Sequence, residues 1–251
     1  MKTLYLNCFS GISGDMFLGA LLNIGVSEAT LASGLKSLGI AGLKIEAATV
    51  EKVGLKATRV DVIAPDTAEE RHLAEILPII RTSGLPADVT GLAEAVFRRL
   101  GAAEAKVHGT TVDHVHFHEV GALDTIADVV GAAICLKALS VDRVCASPVN
   151  VGGGRVRTSH GLLSVPAPAT AELLRGVPTY GSAVQAELTT PTGAAILTEI
   201  CKGFGPMPAM RPVKAGYGAG SKDLATPNVL MAVLGDSTEG TEGTVTARKN
   251  R

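Results

Sequence analysis

The stretch from Thr3 to Leu22 constrains the fold more than any other part of the chain. Thr3 to Cys8 reads as a short strand, and Phe9-Ser10-Gly11-Ile12-Ser13-Gly14-Asp15 is a turn punctuated by glycine. A helix carrying Met16, Leu18, Leu21 and Leu22 follows at once. Strand, loop and helix in direct succession open an α/β unit. The alternation continues with a helix over Ala29 to Leu38 that stops at Gly39. Two alternating segments, Lys44 to Val50 and Ala57 to Ile63, are joined through Glu51-Lys52-Val53-Gly54 as a hairpin. Helical periodicity then covers Arg71 to Arg81 and Ala87 to Ala105, divided by the breaker Ser83-Gly84-Leu85-Pro86.

Beyond residue 106 the chain holds a helix over Ala122 to Leu139 and a short strand near Arg143 to Cys145. Pro148 to Gly161 reads as two extended arms around the Gly152-Gly153-Gly154 turn. Val165-Pro166-Ala167-Pro168 leads into a helix through Leu174. Thr190-Pro191-Thr192-Gly193 signals another helix, with Thr190 as N-cap and Pro191 at the first helical position. Two late strands flank Gly216-Tyr217-Gly218-Ala219-Gly220. The expected architecture is α/β, a mixed sheet with packed helices over residues 1–235, dividing near residue 106 into lobes 1–105 and 106–235. Residues 236–251 contain almost nothing apolar, so they are expected to form a flexible tail.

Composition narrows the function. Among 251 residues, 23 Lys and Arg stand against 24 Asp and Glu, and no basic stripe exists that could neutralise many phosphates; a nucleic-acid partner is not expected. No apolar run reaches the ~18 residues of a membrane span, which predicts a cytoplasmic protein without a membrane partner. Cys8, Cys135, Cys145 and Cys201 are far apart and form no CxxC pair, which argues against a structural zinc or a disulfide framework.

Four of the six histidines, His108, His114, His116 and His118, fall within one short window. If 114–118 is a strand, His114, His116 and His118 share one face while Val115 and Phe117 take the other. Three imidazoles on one face suit nickel, zinc, copper or iron. Glu119 follows, and Asp124 and Asp128 lie one helical turn apart, where carboxylates complete a coordination sphere, orient a histidine or accept a proton. The competing reading is an outward polar strand face followed by acidic residues that favour a helix start. The turn from Ser10 through Ser13 and Gly14 to Asp15 sits where a strand meets a helix, a place that favours an anion. It lacks the Gly-Lys-Ser/Thr ending of a phosphate loop. Gly153 and Gly154, with Arg155, Arg157 and His160, offer a second anion site or a plain hairpin with outward arginines. Gly216 to Gly220 fails as a dinucleotide fingerprint because a strand, not a helix, follows it.

Five segments in order, FSGISGDMFLGALL (9–22), HFHEVGALDTIAD (116–128), VPAPATAELLRGVP (165–178), TPTGAA (190–195) and GYGAG (216–220), resemble the LarC family, the nickel insertion proteins of nickel-pincer cofactor biosynthesis. Asn7 and Asn23 stand where that family is expected to carry Asp, and 66–72 keeps only His72 of an expected His-rich stretch. The resemblance implies a CTP-dependent insertase that places nickel into pyridinium-3,5-bisthiocarboxylic acid mononucleotide. Its product cofactor serves lactate racemase. It also implies a C-terminal domain binding CTP with Mg or Mn, with this chain as the N-terminal portion, and a homo-oligomer. On that basis His108, His114, His116 and His118 are the expected metal ligands, and Glu119, Asp124 and Asp128 the expected bases. Ser10, Ser13, Gly14, Asp15, Gly153, Gly154, Arg155, Arg157, His160, Thr190 and Thr192 are the expected substrate contacts. A nickel carrier without chemistry, a metal-dependent hydrolase and an assembly half that holds the C-terminal domain are the alternatives.

Overall fold

Strand β1 (Lys2–Asn7) is buried on both faces: Leu4 and Leu6 enter the main core, while Tyr5 packs with Cys145 and Val233 on the other side. A strand buried this way belongs in the middle of a sheet, and the computed structural model, which describes residues 1–64, 71–115, 117 and 123–237, places it there. The chain continues through α1 (Gly14–Asn23), α2 (Glu28–Lys36), β2 (Lys44–Lys52), β3 (Leu55–Ile63), α3 (Leu73–Arg81) and α4 (Ala87–His108). Then come α5 (Leu123–Leu139), β4 (Arg143–Ala146), β5 (Val149–Gly152), β6 (Arg155–Thr158), β7 (Gly161–Ser164) and α6 (Pro168–Leu173). It ends through β8 (Thr179–Gly181), α7 (Pro191–Ile200), β9 (Cys201–Phe204), β10 (Met210–Ala219) and β11 (Val229–Ser237).

Seven strands form one mixed sheet in the order β2-β3-β10-β11-β1-β4-β9. β1 runs parallel to β4 and antiparallel to β11, with Leu4 opposite Leu234 and Leu6 opposite Ala232. The expected mixed α/β architecture is therefore present. Strands from both sides of residue 106 alternate within this sheet, so the expected division there does not separate two sheets. Helix α1 lies against β10 and β3, and α5 packs on α1, α2 and α4. Leu18 and Leu31 close on Gly131 of α5, whose missing side chain lets the helices approach. No helix among the described residues is long and apolar enough to cross a membrane. The four cysteines are free thiols.

Local expectations mostly hold. The β2–β3 hairpin turns at Val53 and Gly54, and Thr190 accepts a hydrogen bond from the Gly193 amide at 3.2 Å with Pro191 opening α7. Three differ. The arms around Gly152–Gly154 do not pair with each other: β5 joins β8 in parallel and β6 joins β7 as a hairpin, because positive φ at Gly152 and Gly154 turns the chain out of one small sheet into another. Gly216 to Ala219 lies within β10, not between two strands. The strand expected to start at His114 is replaced, in its described part, by a turn over Val112–His114, in which the His114 amide donates to Thr111 O at 3.0 Å. The left-handed Gly109 ends α4 shortly before this turn. Val115 and Phe117 are both buried, as the alternation required. His116, His118 and Glu119 lie outside the described residues. At the far end β11 includes Asp236 and Ser237, the first two residues of the expected tail; 238–251 lie outside the described residues.

Candidate functional site

The end of β1 feeds a loop that is fixed at nearly every residue. The Cys8 amide donates to the Ser147 hydroxyl at 2.9 Å, and the Asn150 side-chain amide donates to Phe9 O at 2.7 Å. The Gly11 amide returns to Cys8 O at 2.9 Å with φ at +74°, and the Thr190 amide donates to Ile12 O at 3.1 Å. A backbone satisfied this fully holds its shape, so the starts of α1 and α7 are locked side by side. Ser10, expected to touch substrate, is buried and donates to Pro227 O at 2.7 Å, a structural commitment within this loop.

Beside this loop lies a cleft of about 370 Å³ in which the first turns of α1, α5 and α7 meet. Ser13, Gly14 and Asp15 come from α1 and its cap, Asp124 and Asp128 from α5, and Thr190 and Thr192 from α7; Asp61 of β3 and Glu187 complete it. The structure thus gathers seven of the residues singled out in the sequence. Asp61 and Glu187 were not foreseen, since Asp61 sits in an ordinary strand alternation and Glu187 in a segment without periodicity.

Electrostatics make the cleft unusual. Gly14 has no side chain, and the Asp128 carboxyl fills the space that a Cβ there would need. Asp128 Oδ1 is buried without a hydrogen-bond partner. Burial, then the neighbouring Asp15 and Asp124 charges, push the Asp128 carboxyl well above the usual carboxylate range. Burial also raises Asp15, opposed by the Ser13 hydroxyl, which hydrogen-bonds its Oδ1, and by backbone amides of the first turn. The Asp124 carboxylate accepts from the Thr125 amide at 2.6 Å. Helix starts attract negative charge, but two buried neighbouring carboxylates resist sharing it, so here burial wins. Carboxylates answer a cation, and the amides and hydroxyls of three helix starts answer an anion.

The other expected residues lie elsewhere. Arg155 and Arg157 are exposed on β6, and Gly153 and Gly154 pack against 182–186, so none of them lines the cleft. His108 and His160 stand together with ring centres 4.9 Å apart, in a separate small hollow. His114 is exposed, its Nδ1 2.7 Å from the Thr111 hydroxyl. Among the described residues no three His, Cys, Asp or Glu side chains are already arranged to hold a metal ion. Two larger hollows, about 530 and 700 Å³, carry charges engaged in ion pairs such as Lys137–Asp88, Arg99–Glu199 and Lys106–Glu172, which makes them surface grooves, not chemical sites.

Fold and cleft together define an α/β protein that gathers carboxylates and three helix starts around one cleft. The chain belongs to the nickel insertion family: the family described as "Nickel insertion protein" matches residues 4–249. A protein of Desulfitobacterium hafniense (strain DSM 10664 / DCB-2) named "Pyridinium-3,5-bisthiocarboxylic acid mononucleotide nickel insertion protein" is 49% identical over 246 residues, covering 97% of this chain and 61% of its own. One of the same name from Geobacillus kaustophilus is 45% identical over 249 residues, covering 95% and 61%. A "Putative nickel insertion protein" of Dictyoglomus thermophilum is 44% identical over 241 residues, covering 96% and 62%. The chain thus spans about three-fifths of the length of these curated relatives. No solved structure matches it.

Proposed function

We propose that this chain is the metal- and substrate-handling part of a nickel insertase acting on pyridinium-3,5-bisthiocarboxylic acid mononucleotide, the substrate named for its relatives. The observation that carries the reading is the cleft, where buried carboxylates and three helix starts face one volume. Nickel enters as cargo toward the carboxylates, and the phosphate or thiocarboxylates of the mononucleotide meet the amides of Ser13 to Asp15 and the hydroxyls of Thr190 and Thr192. His116, His118 and Glu119 precede Leu123 closely in sequence and are further candidates for holding nickel or accepting a proton. A carbon–nickel bond replaces a ring C–H bond, so a proton must leave; a buried carboxylate with raised proton affinity, Asp128, is a fitting acceptor once ionised. CTP with Mg or Mn belongs, in this proposal, to the part of the longer protein beyond this chain, and lactate racemase apoprotein receives the product.

Mass spectrometry of the mononucleotide after incubation with Ni²⁺, CTP and Mg²⁺ tests the reading, using the chain alone and together with the remaining segment of a longer relative. A nickel-bearing product is expected, and Asp124→Asn or Asp128→Asn should lower its rate by roughly a hundredfold or more. Saturable nickel binding with no product in either format would replace the insertase with a carrier. Thr190→Ala removes the α7 cap and is expected to cost about 1 kcal/mol of stability in urea titrations, besides weakening substrate binding.

A further inference from the structure

We propose that Lys222 and Arg59 form a cationic rim on the carboxylate cleft that takes the 5′-phosphate of a mononucleotide. The identity of the ligand rests on the insertase reading; the placement of the cations does not. Asp15, Asp61, Asp124, Asp128 and Glu187 line the cleft, and among the described residues no lysine or arginine does. A phosphate monoester carries roughly −1.5 to −2 charges near neutral pH, so it is repelled from that lining and belongs where cations stand. Two cations reach the cleft wall from outside. Arg59 precedes Asp61 by two residues on the same face of β3, and its Nε and Nη2 both donate to Asp61 Oδ1, at 2.9 and 2.6 Å. Lys222 lies in the connection between β10 and β11, and its Nζ donates to Glu187 O at 2.7 Å. Asp61 and Glu187 both line the cavity, so each cation is one contact away from it.

The backbone holds Lys222 in this place. The buried side chains of Lys52 and Asn228 converge on its carbonyl oxygen, at 3.3 and 3.0 Å. Lys52 Nζ also donates to Asp223 Oδ1 at 2.6 Å, so the one carboxylate of this connection is already answered. At its far end the Ser10 hydroxyl ties Pro227 O to the loop before α1. Parallel pairing of Gly218 with Thr58 brings the connection next to Arg59. Arg59 is near enough to add its charge to the stronger pull of Lys52, which holds the Asp223 carboxylate below its usual range. A surface ion pair accounts for Arg59 and Asp61 alone; it gives no reason for two buried side chains from separate strands to fix the carbonyl of an exposed lysine. Donors remain for a ligand, since Lys222 commits one of three N–H groups and Arg59 two of five. A lysine point charge beside an arginine fork suits a phosphate. The acidic cleft then keeps the pyridinium ring end, and the rim keeps the phosphate.

Calorimetry on the intact chain compares pyridinium-3,5-bisthiocarboxylic acid mononucleotide with the nucleoside left when a phosphatase removes its 5′-phosphate. The parent should bind the mononucleotide more tightly. Lys222→Ala should weaken mononucleotide binding roughly tenfold and Arg59→Ala roughly three- to tenfold, while the affinity for the nucleoside changes less than about twofold in either. Lys222→Arg, which keeps the charge, should retain most of the preference for the phosphate. Lys222 is exposed, so its alanine variant should fold as the parent does, which circular dichroism checks. In the insertion assay the mononucleotide concentration needed for half-maximal rate should rise by the same factors. Equal losses for both ligands, a mononucleotide affinity that both alanine variants leave intact, or a parent that does not distinguish the two ligands overturns the rim, even where nickel-bearing product forms. A preference for the phosphate that Lys222→Ala abolishes, in a protein that yields no nickel-bearing product in either format, would bring down the insertase reading and leave the rim standing.

Discussion

Gly218→Ala is expected to destabilise the protein by about 3 kcal/mol or more, a fall of roughly 6–12 °C in the thermal midpoint, or to leave no folded protein. Gly218 lies on β10 under α1, and a Cβ there would overlap the Met16 carbonyl oxygen and the Ala20 amide nitrogen. These are backbone atoms within a helix and have no rotamer to escape into. The contact is tight from the other side as well, since a Cβ on Gly19 would collide with the Thr58 carbonyl of β3. Lifting α1 to make room would also displace Gly14 and Asp15 from the cleft, so any folded fraction should bind substrate poorly. Gly91→Ala is the contrasting case: Gly91 is exposed within α4 with nothing near its would-be Cβ, and the change should stabilise by about 0.5–1 kcal/mol. Denaturant titration of both variants checks the pair. Equal, small effects would mean that helix and sheet do not meet at Gly218.

The second large effect is expected at Asp128, with opposite signs for stability and function. Its folded-state proton affinity is raised, so the fold favours the protonated carboxyl. The stability this contributes is complete below the ordinary carboxylate range and is lost as pH climbs through the raised value. Above that point the native protein carries an ionised, unpartnered oxygen in a buried place. Asp128→Asn imitates the protonated form at every pH. Below the ordinary carboxylate range its thermal midpoint should match the parent; at alkaline pH it should exceed the parent. Insertion activity should be lost in the same variant, the usual exchange between a strained functional group and stability. An Asn variant less stable than the parent at alkaline pH would show that the ionised carboxylate is compensated.

What was legible in the sequence was local. The strand, turn and helix of 3–22, the hairpin around Val53-Gly54 and the Thr190-Pro191 helix start depend on neighbours within a few residues, and each formed as read. The seven foreseen cleft residues were separate signals, each tied to a helix start; that three helix starts would face one volume was not readable, because it depends on strand order. The same limit hid β8 as the partner of β5 and kept Asp61 and Glu187 out of view. At the histidines the alternation was right about the burial of Val115 and Phe117, while the described start of the expected strand is a turn over Val112–His114, which depends on the contacts of the Thr111 carbonyl and not on alternation. His160 was read beside the arginines as an anion contact, and nothing in the sequence indicated that its ring would stand 4.9 Å from that of His108.

The position of β11 has a consequence for how the protein comes into being on the ribosome. β11 is inserted between β10 and β1, so the first strand of this sheet waits for the one most distant from it in sequence before its antiparallel neighbour arrives. Until residue 237 clears the exit tunnel, Leu4 and Leu6 lack one flank and the apolar side of α1 has only part of its floor. Completion of the sheet centre is therefore governed by the slow closure of a long loop between β1 and β11, and until β11 arrives the nascent protein exposes an unpaired edge that a holding chaperone would be suited to cover.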